Sequence, residues 1–226
     1  GITMGVANTM YAYGMEYDNP KKPYDMKGFI NGAGAAKGLK LYTGHTEFHD
    51  RPLDHYEMMG MYYVLWAGGL DTVYSTLGWI MRHLATHPEL QDDLRANPDK
   101  LDGAVEEFSR AFSVVCTHRQ VAEDYTFFGA PLRKGDEINL PISLANRDPA
   151  LFADPHRVDI DRKPRHINFG TGTHTCLGIH LAKRELRVVV EEFLTRFNNI
   201  RIKDGDAYRY HTGRTFGVDY LPLTWD

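Results

Sequence analysis

Phe169-Gly170-Thr171-Gly172-Thr173-His174-Thr175-Cys176-Leu177-Gly178 is the stretch of sequence that decides the fold. It places one cysteine in a glycine-rich loop that leads into a predicted helix from Leu177 to about Phe197. The start of a helix carries partial positive charge, which favours the thiolate form of a nearby cysteine. Glycines at positions 170, 172 and 178 would let a flat ligand lie close to the backbone. The stretch therefore predicts a buried thiolate that faces a flat partner.

A hydrogen-bonded thiolate beside a flat partner suggests cysteine ligation of haem iron, which favours O–O cleavage. Two other interpretations exist. In the first, Cys176 is an inert core cysteine, as isolated buried cysteines commonly are. In the second, His174, Cys176 and His180 bind a zinc ion, although no second cysteine lies nearby. Further motifs along the chain favour the haem interpretation.

The composition is that of an ordinary globular protein, with 226 residues, 42% hydrophobic and 25% charged. A net charge of −4 argues against nucleic acid as the main partner. The two cysteines imply no disulfide framework and fit a reducing compartment. The apolar run from Met58 to Leu70 is too short to span a membrane, and no signal peptide is visible. We therefore expect a soluble, cytoplasmic protein.

Periodicity and turn residues predict a mainly α chain with a small β portion. Helices are predicted for residues 3–15, from Pro52 to about Thr86, and for Pro88–Asn97, Pro98–Phe112 and Leu177–Phe197. Strands are predicted for Val114–Gln120, Tyr125–Phe128, Glu137–Leu140, Ile200–Ile202 and Gly217–Leu221. The remaining segments are interpreted as a long connection over residues 16–51, a turn at Gly129-Ala130-Pro131 and a meander over residues 147–168.

Gly68-Gly69-Leu70-Asp71-Thr72 lies in the middle of the long predicted helix. Two glycines inside a helix cost about 1 kcal/mol each relative to alanine, so they need a reason. Helical spacing puts six residues on one face: Val64, Ala67, Gly68, Asp71, Thr72 and Ser75. Glycines beside an acid and a hydroxyl leave room for a small ligand such as dioxygen and can deliver protons to it. A glycine pair that packs helices, with a solvated Asp71, is the alternative.

Glu107-Phe108-Ser109-Arg110 is an E-x-x-R motif on the predicted helix that begins near Pro98. The spacing of three puts the carboxylate and the guanidinium on one helix face, where they can pair. Alone, such a pair is a common surface salt bridge worth under about 1 kcal/mol.

The pattern F-G-x-G-x-H-x-C-x-G at residues 169–178 resembles the cysteine-ligand loop of the cytochrome P-450 haem-thiolate monooxygenases. Gly-Gly-Leu-Asp-Thr-Val at 68–73 and Leu-Pro-Leu-Thr-Trp-Asp at 221–226 resemble the soluble bacterial branch that hydroxylates camphor and other terpenes. The resemblance implies the C-terminal half of the cytochrome P-450 fold, with a long central helix and a Cys-ligand loop.

The resemblance also implies roles for individual residues around a haem b cofactor. Cys176 would ligate the iron, Thr72 would steady dioxygen and Asp71 would relay protons. Glu107 and Arg110 would form a buried structural triad, with Arg157 of the meander as its third member. The other expected haem contacts are Arg119 and His174 with the propionates, together with Gly68, Phe169, Gly170 and Gly178.

The expected substrate pocket is lined by Val64, Ala67, Val115 and Thr215, which suits a small hydrophobic molecule such as a terpenoid. Members of this branch usually receive electrons from a [2Fe–2S] ferredoxin, supplied in turn by a ferredoxin reductase. Four cations could form a basic patch for this partner or a simple solvated face: Arg162, Lys163, Arg165 and Lys183.

The resemblance divides the chain into residues 1–52, a partial helix and long connection, and residues 53–226, a haem-binding monooxygenase core. The chain has about half the usual family length and lacks the counterparts of the N-terminal sheet and of the helices that roof the substrate pocket. The leading expectation is a haem-thiolate monooxygenase that uses O₂. A non-catalytic haem-binding protein, a peroxide-driven variant and an incomplete fragment without activity of its own are the alternatives.

Overall fold

The computed structural model describes residues 47–48, 51–52 and 54–226. The helix predicted for residues 3–15 and most of the connection predicted for residues 16–51 lie outside these residues. The chain divides into two units, Gly1–Trp66 and Ala67–Asp226. The division at residues 52 and 53 stays a prediction.

The central element is α1, a helix of 31 residues from His55 to Ala85. A reciprocal pair of hydrogen bonds opens it, because the Asp54 amide donates to the Glu57 carboxylate and the Glu57 amide donates to Asp54. The guanidinium of Arg51 also donates to Glu57, and its hydrogen bonds lower the pKa of that carboxyl to about 2. The predicted long helix is thus confirmed, three residues later than Pro52.

Four further helices are α2 (Pro88–Ala96), α3 (Leu101–Ala111), α4 (Ile142–Ala145) and α5 (Ile179–Arg196). The strands form antiparallel pairs: β1 (Glu47–Phe48) with β2 (Arg51–Pro52), β3 (Cys116–Gln120) with β6 (Glu137–Pro141), β4 (Tyr125–Phe127) with β5 (Ala130–Leu132), β7 (Arg201–Ile202) with β10 (Leu223–Thr224), and β8 (Arg209–His211) with β9 (Gly217–Tyr220). The described residues are therefore mainly helical with a small β portion, as predicted.

The prediction differs from the structure where short segments and prolines are involved. The helix predicted for Pro98–Phe112 is a 3₁₀ turn, Pro98–Lys100, followed by α3. Ala130–Leu132 is strand β5 and not part of a turn. Pro131 is tolerated there because a two-stranded pair leaves one side of each strand without a partner. Strands β8 and β10 were not predicted, since three and two residues are too few to show a period.

The main core lies where α3 packs on α5 and against the last turns of α1. Its fully buried side chains include Ile80, Leu84, Leu101, Phe108 and Val190. Buried Gln91 of α2 links this core to the chain entering β7, because its amide donates to the carbonyls of Leu84 at 2.8 Å and Ile200 at 2.7 Å. These contacts fix the end of α1 and the chain that follows α5, the two helices that carry the predicted site.

One half-buried histidine should make the stability depend on pH. Burial, followed by the charges of His87 and Arg82, lowers the pKa of His83 to about 4, and Glu89 opposes this weakly. Its ordinary pKa is 6.5, so between 6.5 and 4 the unfolded chain binds a proton that the folded chain does not. The free energy of unfolding should therefore fall as the pH drops through this range. We expect the free energy of unfolding to fall by about 1–2 kcal/mol, a value already reduced for partial solvent screening.

Urea unfolding at about pH 7 and about pH 5 tests this, with His83→Gln as the comparison. The variant should lose less stability between the two pH values than the unaltered chain. His166, whose pKa burial also lowers, is present in both proteins and cancels in the comparison. Equal losses would show that His83 does not carry the effect.

Candidate functional site

The cysteine loop is closed by backbone hydrogen bonds that hold Cys176 just before α5. The amide of Cys176 donates to the carbonyl of Phe169 at 2.8 Å, and Gly172–His174 forms a 3₁₀ turn between them. The helix begins at Ile179, two residues after the predicted start. The Cys176 thiol is free and exposed, whereas the sequence predicted a buried one. Among the described residues nothing covers it, so a partner of the thiol would have to do so.

The surroundings of this thiol fit a flat, largely apolar ligand. Leu177 is 87% exposed and Leu181, one turn further, is 63% exposed. Apolar side chains beside a free thiol at a helix start offer a sulfur ligand and an apolar surface together. The residues present therefore fit a haem held by Cys176, as the loop predicts.

Gly170 has a conformation and a contact that both disfavour a side chain. Its φ is +71°, and a Cβ there would lie 3.1 Å from the carbonyl oxygen of His174. Gly172 also has a positive φ, +67°, but a Cβ there would meet no described atom within 4 Å. A side chain at either position would strain the backbone, but only at Gly170 would it also press on a neighbouring atom. Comparing the two positions therefore separates the backbone strain from the steric contact.

We expect Gly170→Ala to destabilise the chain by about 2–3 kcal/mol, and Gly172→Ala by only about 1 kcal/mol. The difference arises because only the first variant also presses on the His174 carbonyl and shifts the Cys176 loop. Urea unfolding of both variants measures it. An equal loss in the two would mean that the contact with His174 is unimportant.

The predicted acid–alcohol pair lies on an open part of α1. The Thr72 hydroxyl donates to the carbonyl of Gly68 at 2.7 Å, and Asp71 is exposed. A Cβ on Gly68 or Gly69 would meet no described atom within 4 Å. The alternative of a helix-packing glycine pair thus has no packing partner in the part of the chain that the structure describes. The space beside the pair is available to a small ligand.

Glu107 and Arg110 form a completely buried ion pair on α3, each with 0% of its side chain exposed. Arg110 donates to both carboxylate oxygens of Glu107, at 2.7 and 2.8 Å. It also donates to the carbonyls of Asn146, Pro155 and Arg157 at 2.9 to 3.0 Å. All five N–H donors of the guanidinium are therefore used, which is what a buried arginine requires.

The third member of this cluster is Arg162, and the prediction of Arg157 is wrong. The Nε of Arg162 donates to Glu107 at 3.2 Å, and its side chain is only 14% exposed. Arg157 contributes its backbone carbonyl to Arg110, while its own side chain is exposed. The amide of Arg157 closes a turn on the Asp154 carbonyl, and its own carbonyl accepts from Arg110.

Asn146, which the sequence analysis did not identify, joins this cluster to the cysteine loop. It is buried, and its amide nitrogen donates to Ser113 at 2.6 Å. Its side-chain oxygen accepts the backbone N–H of Ile167 at 2.9 Å, two residues before Phe169. No local pattern in the sequence indicates this role, because it depends on a contact across 21 residues.

The other predicted haem contacts lie on the surface of the described residues. Arg119, near the end of β3, is exposed and donates to the carbonyl of His118 at 2.8 Å. His174 is exposed within the 3₁₀ turn of the cysteine loop. Both side chains are thus open to an outside ligand, and their pairing with propionates stays a prediction.

The predicted pocket residues are only partly brought together. Val115 and Thr215 face each other in an isolated antiparallel bridge, although they are distant in sequence. Val64 is 67% exposed, and Ala67 is half-buried. Val64 belongs to the first unit and Ala67 to the second.

The predicted basic patch is smaller than expected. Arg162 is paired with Glu107, and Lys183 forms a 2.5 Å ion pair with Glu106. Lys163 and Arg165 remain exposed. In the described part of the chain, no helix is both long and apolar enough to cross a membrane.

Comparisons with known proteins give a consistent result. The family model described as "Cytochrome P450" matches residues 40–209. The chain is 40% identical over 191 residues to "Probable cytochrome P450 127A1" of Sinorhizobium fredii, covering 84% of this chain and 46% of that protein. It is 36% identical over 161 residues to "Polyketide biosynthesis cytochrome P450 PksS" of Bacillus subtilis, covering 70% and 40%.

Among solved structures, the crystal structure of CYP101J2 is similar with a TM-score of 0.78 and 34% sequence identity. The similarity covers 88% of this chain and 52% of that one. The chain thus spans about half the length of the relatives it matches.

Proposed function

Because the chain belongs to the cytochrome P450 family, we propose that it supplies the haem-thiolate half of a monooxygenase. The family's cofactor is haem b, and the observation that carries the proposal is the free Cys176 thiol in its closed glycine loop before α5. Haem held there supplies activation of O₂ and insertion of one oxygen atom into a C–H bond.

The residues around the site have separate tasks in this proposal. Cys176 provides the sulfur ligand, and the loop hydrogen bond to Phe169 keeps it in place. Glu107, Arg110 and Arg162 hold the chain beneath the loop through Asn146. Arg119 and His174 offer exposed cationic or donor groups for the cofactor's carboxylates.

Asp71 and Thr72 of α1 deliver protons in this proposal. The exposed Asp71 carboxylate can take a proton from solvent, and the Thr72 hydroxyl next to it can pass one on. The hydrogen bond from Thr72 to the Gly68 carbonyl fixes the orientation of that hydroxyl. The open space at Gly68 and Gly69 lets a small molecule approach both groups.

The substrate proposed is a small hydrophobic molecule, with terpenoids as the first class to test. Its support is the apolar pocket position Val115, bridged to Thr215. We also propose a [2Fe–2S] ferredoxin and its reductase as electron donors, supported by exposed Lys163 and Arg165. A cytoplasmic location belongs to the same proposal and agrees with the absence of a disulfide framework.

The test is an absorption spectrum of the 226-residue chain, reconstituted with hemin, reduced with dithionite and treated with carbon monoxide. A red-shifted thiolate–CO Soret band supports the proposed site. Turnover of a terpenoid with a ferredoxin system then distinguishes a monooxygenase from a non-catalytic haem protein. If no haem band appears, the chain does not form this site by itself.

A further inference from the structure

A cavity lies away from the cysteine loop, where the end of α1 and the start of α2 meet the meander. Its volume is about 560 Å³, within the usual range for small-molecule sites. His83, His87, Arg147, His156 and Arg157 contribute its basic side chains. None of them belongs to the proposed haem site.

Arg147 is a half-buried cation whose charge the described residues do not neutralise. One of its terminal nitrogens donates to the carbonyl of Ala111 at 2.5 Å, but its buried Nε has no hydrogen-bond partner there. Burial, and then the positive charge of Arg110, lower its pKa. A buried guanidinium that lacks a carboxylate is costly, so an anion in this cavity would stabilise it.

Other donors in the cavity are also available. The guanidinium of Arg157 and the imidazole of His156 are exposed and make no hydrogen bonds to the described part of the chain. His87 donates its Nδ1–H to the carbonyl of His83 at 2.8 Å, so its ring is not counted among the free donors. Because Arg162, and not Arg157, pairs with Glu107, the side chain of Arg157 has no role in the buried ion-pair cluster.

The acidic residues of the cavity do not favour a cation. The Asp93 carboxylate already accepts two 2.8 Å hydrogen bonds from Lys100 and one from Asn97. Glu89 is exposed. The described residues hold no group of three or more histidine, cysteine or acidic side chains placed to bind a metal ion. Positive charge without a partner therefore exceeds negative charge in the cavity.

We propose that this cavity binds a small organic anion, with its carboxylate or phosphate head at Arg147 and Arg157. The rest of the ligand would contact the apolar part of the lining, formed by Leu90, Phe112 and Val158. The exposed imidazole of His156 supplies a hydrogen bond beside the head. Such a ligand would contact both the end of α1 and the meander, and would thereby stabilise the position of the meander that pairs with Glu107 and Arg110.

The probe is benzoate, added to the 226-residue chain carrying isotope-labelled histidine. Calorimetry should show saturable binding, and the ring signals of His83, His87 and His156 should shift while that of His211 does not. Arg157→Gln should weaken binding by about tenfold, since it removes a charge-assisted hydrogen bond. His156→Gln should weaken it less. These readouts need no haem, so they are independent of the proposed function.

The matched control is Arg165→Gln, an exposed arginine that does not line the cavity. It should leave benzoate affinity unchanged. Equal weakening by both arginine variants, or no shift of the three histidine signals, overturns the proposal. Inorganic phosphate should bind at least tenfold more weakly than benzoate, and equal affinity would overturn the role of the apolar lining.

Discussion

Glu107→Gln should lower the free energy of unfolding by about 3–5 kcal/mol, a large share of a domain's stability. Glu107 accepts hydrogen bonds from Arg110, Arg162 and the backbone amide of Asp159. Glutamine keeps the shape but removes the charge and turns one acceptor into a donor. The guanidinium of Arg110, fully buried, would then have no counter-charge.

The neighbouring residue provides the control. Glu106 pairs with His166 and Lys183 but is partly exposed, so Glu106→Gln should cost less than about 1 kcal/mol. Urea unfolding of both variants, with equal slopes, gives the comparison. Similar losses for Glu106 and Glu107 would contradict the buried scaffold.

Cys176→Ala should abolish the red-shifted thiolate–CO band completely. The described part of the chain contains one other free cysteine, Cys116 in β3, which is partly buried. Alanine removes the sulfur but fits the loop, because the loop hydrogen bond comes from the backbone amide of residue 176. The loss of the band should therefore occur without a large change in unfolding free energy.

Cys116→Ala is the matched variant, since it removes the other thiol. It should retain the band at the position of the unaltered chain. A band that survives in Cys176→Ala, or disappears in Cys116→Ala, would refute the assignment of the ligand.

The elements of the fold were predictable where the sequence is long and periodic. The long helix α1 and the loop before α5 follow from helical spacing, glycines and prolines. The 3₁₀ turn at Pro98–Lys100 was not predictable, because both 3₁₀ and α geometry suit a proline at their start. Strand β10 is held by pairing with β7, which lies before the β8–β9 pair in the chain, and no local pattern records this contact.

The candidate site was predictable in its motifs but not in its distant contacts. The spacing of Glu107 and Arg110 alone shows that they can pair on α3. The choice between Arg157 and Arg162 depends on how the meander turns, which its composition does not reveal. The exposure of Cys176 likewise depends on what covers the loop and not on the loop sequence.

Asn146 determines how the cysteine loop can open. Its side chain holds the amide of Ile167 and contacts Ser113, and its carbonyl accepts from Arg110. The segment that leads into the loop cannot leave without breaking a buried network on α3. Amide hydrogen exchange at Ile167 should therefore be as slow as in the centre of α3, so that the loop and its scaffold form one cooperative unit.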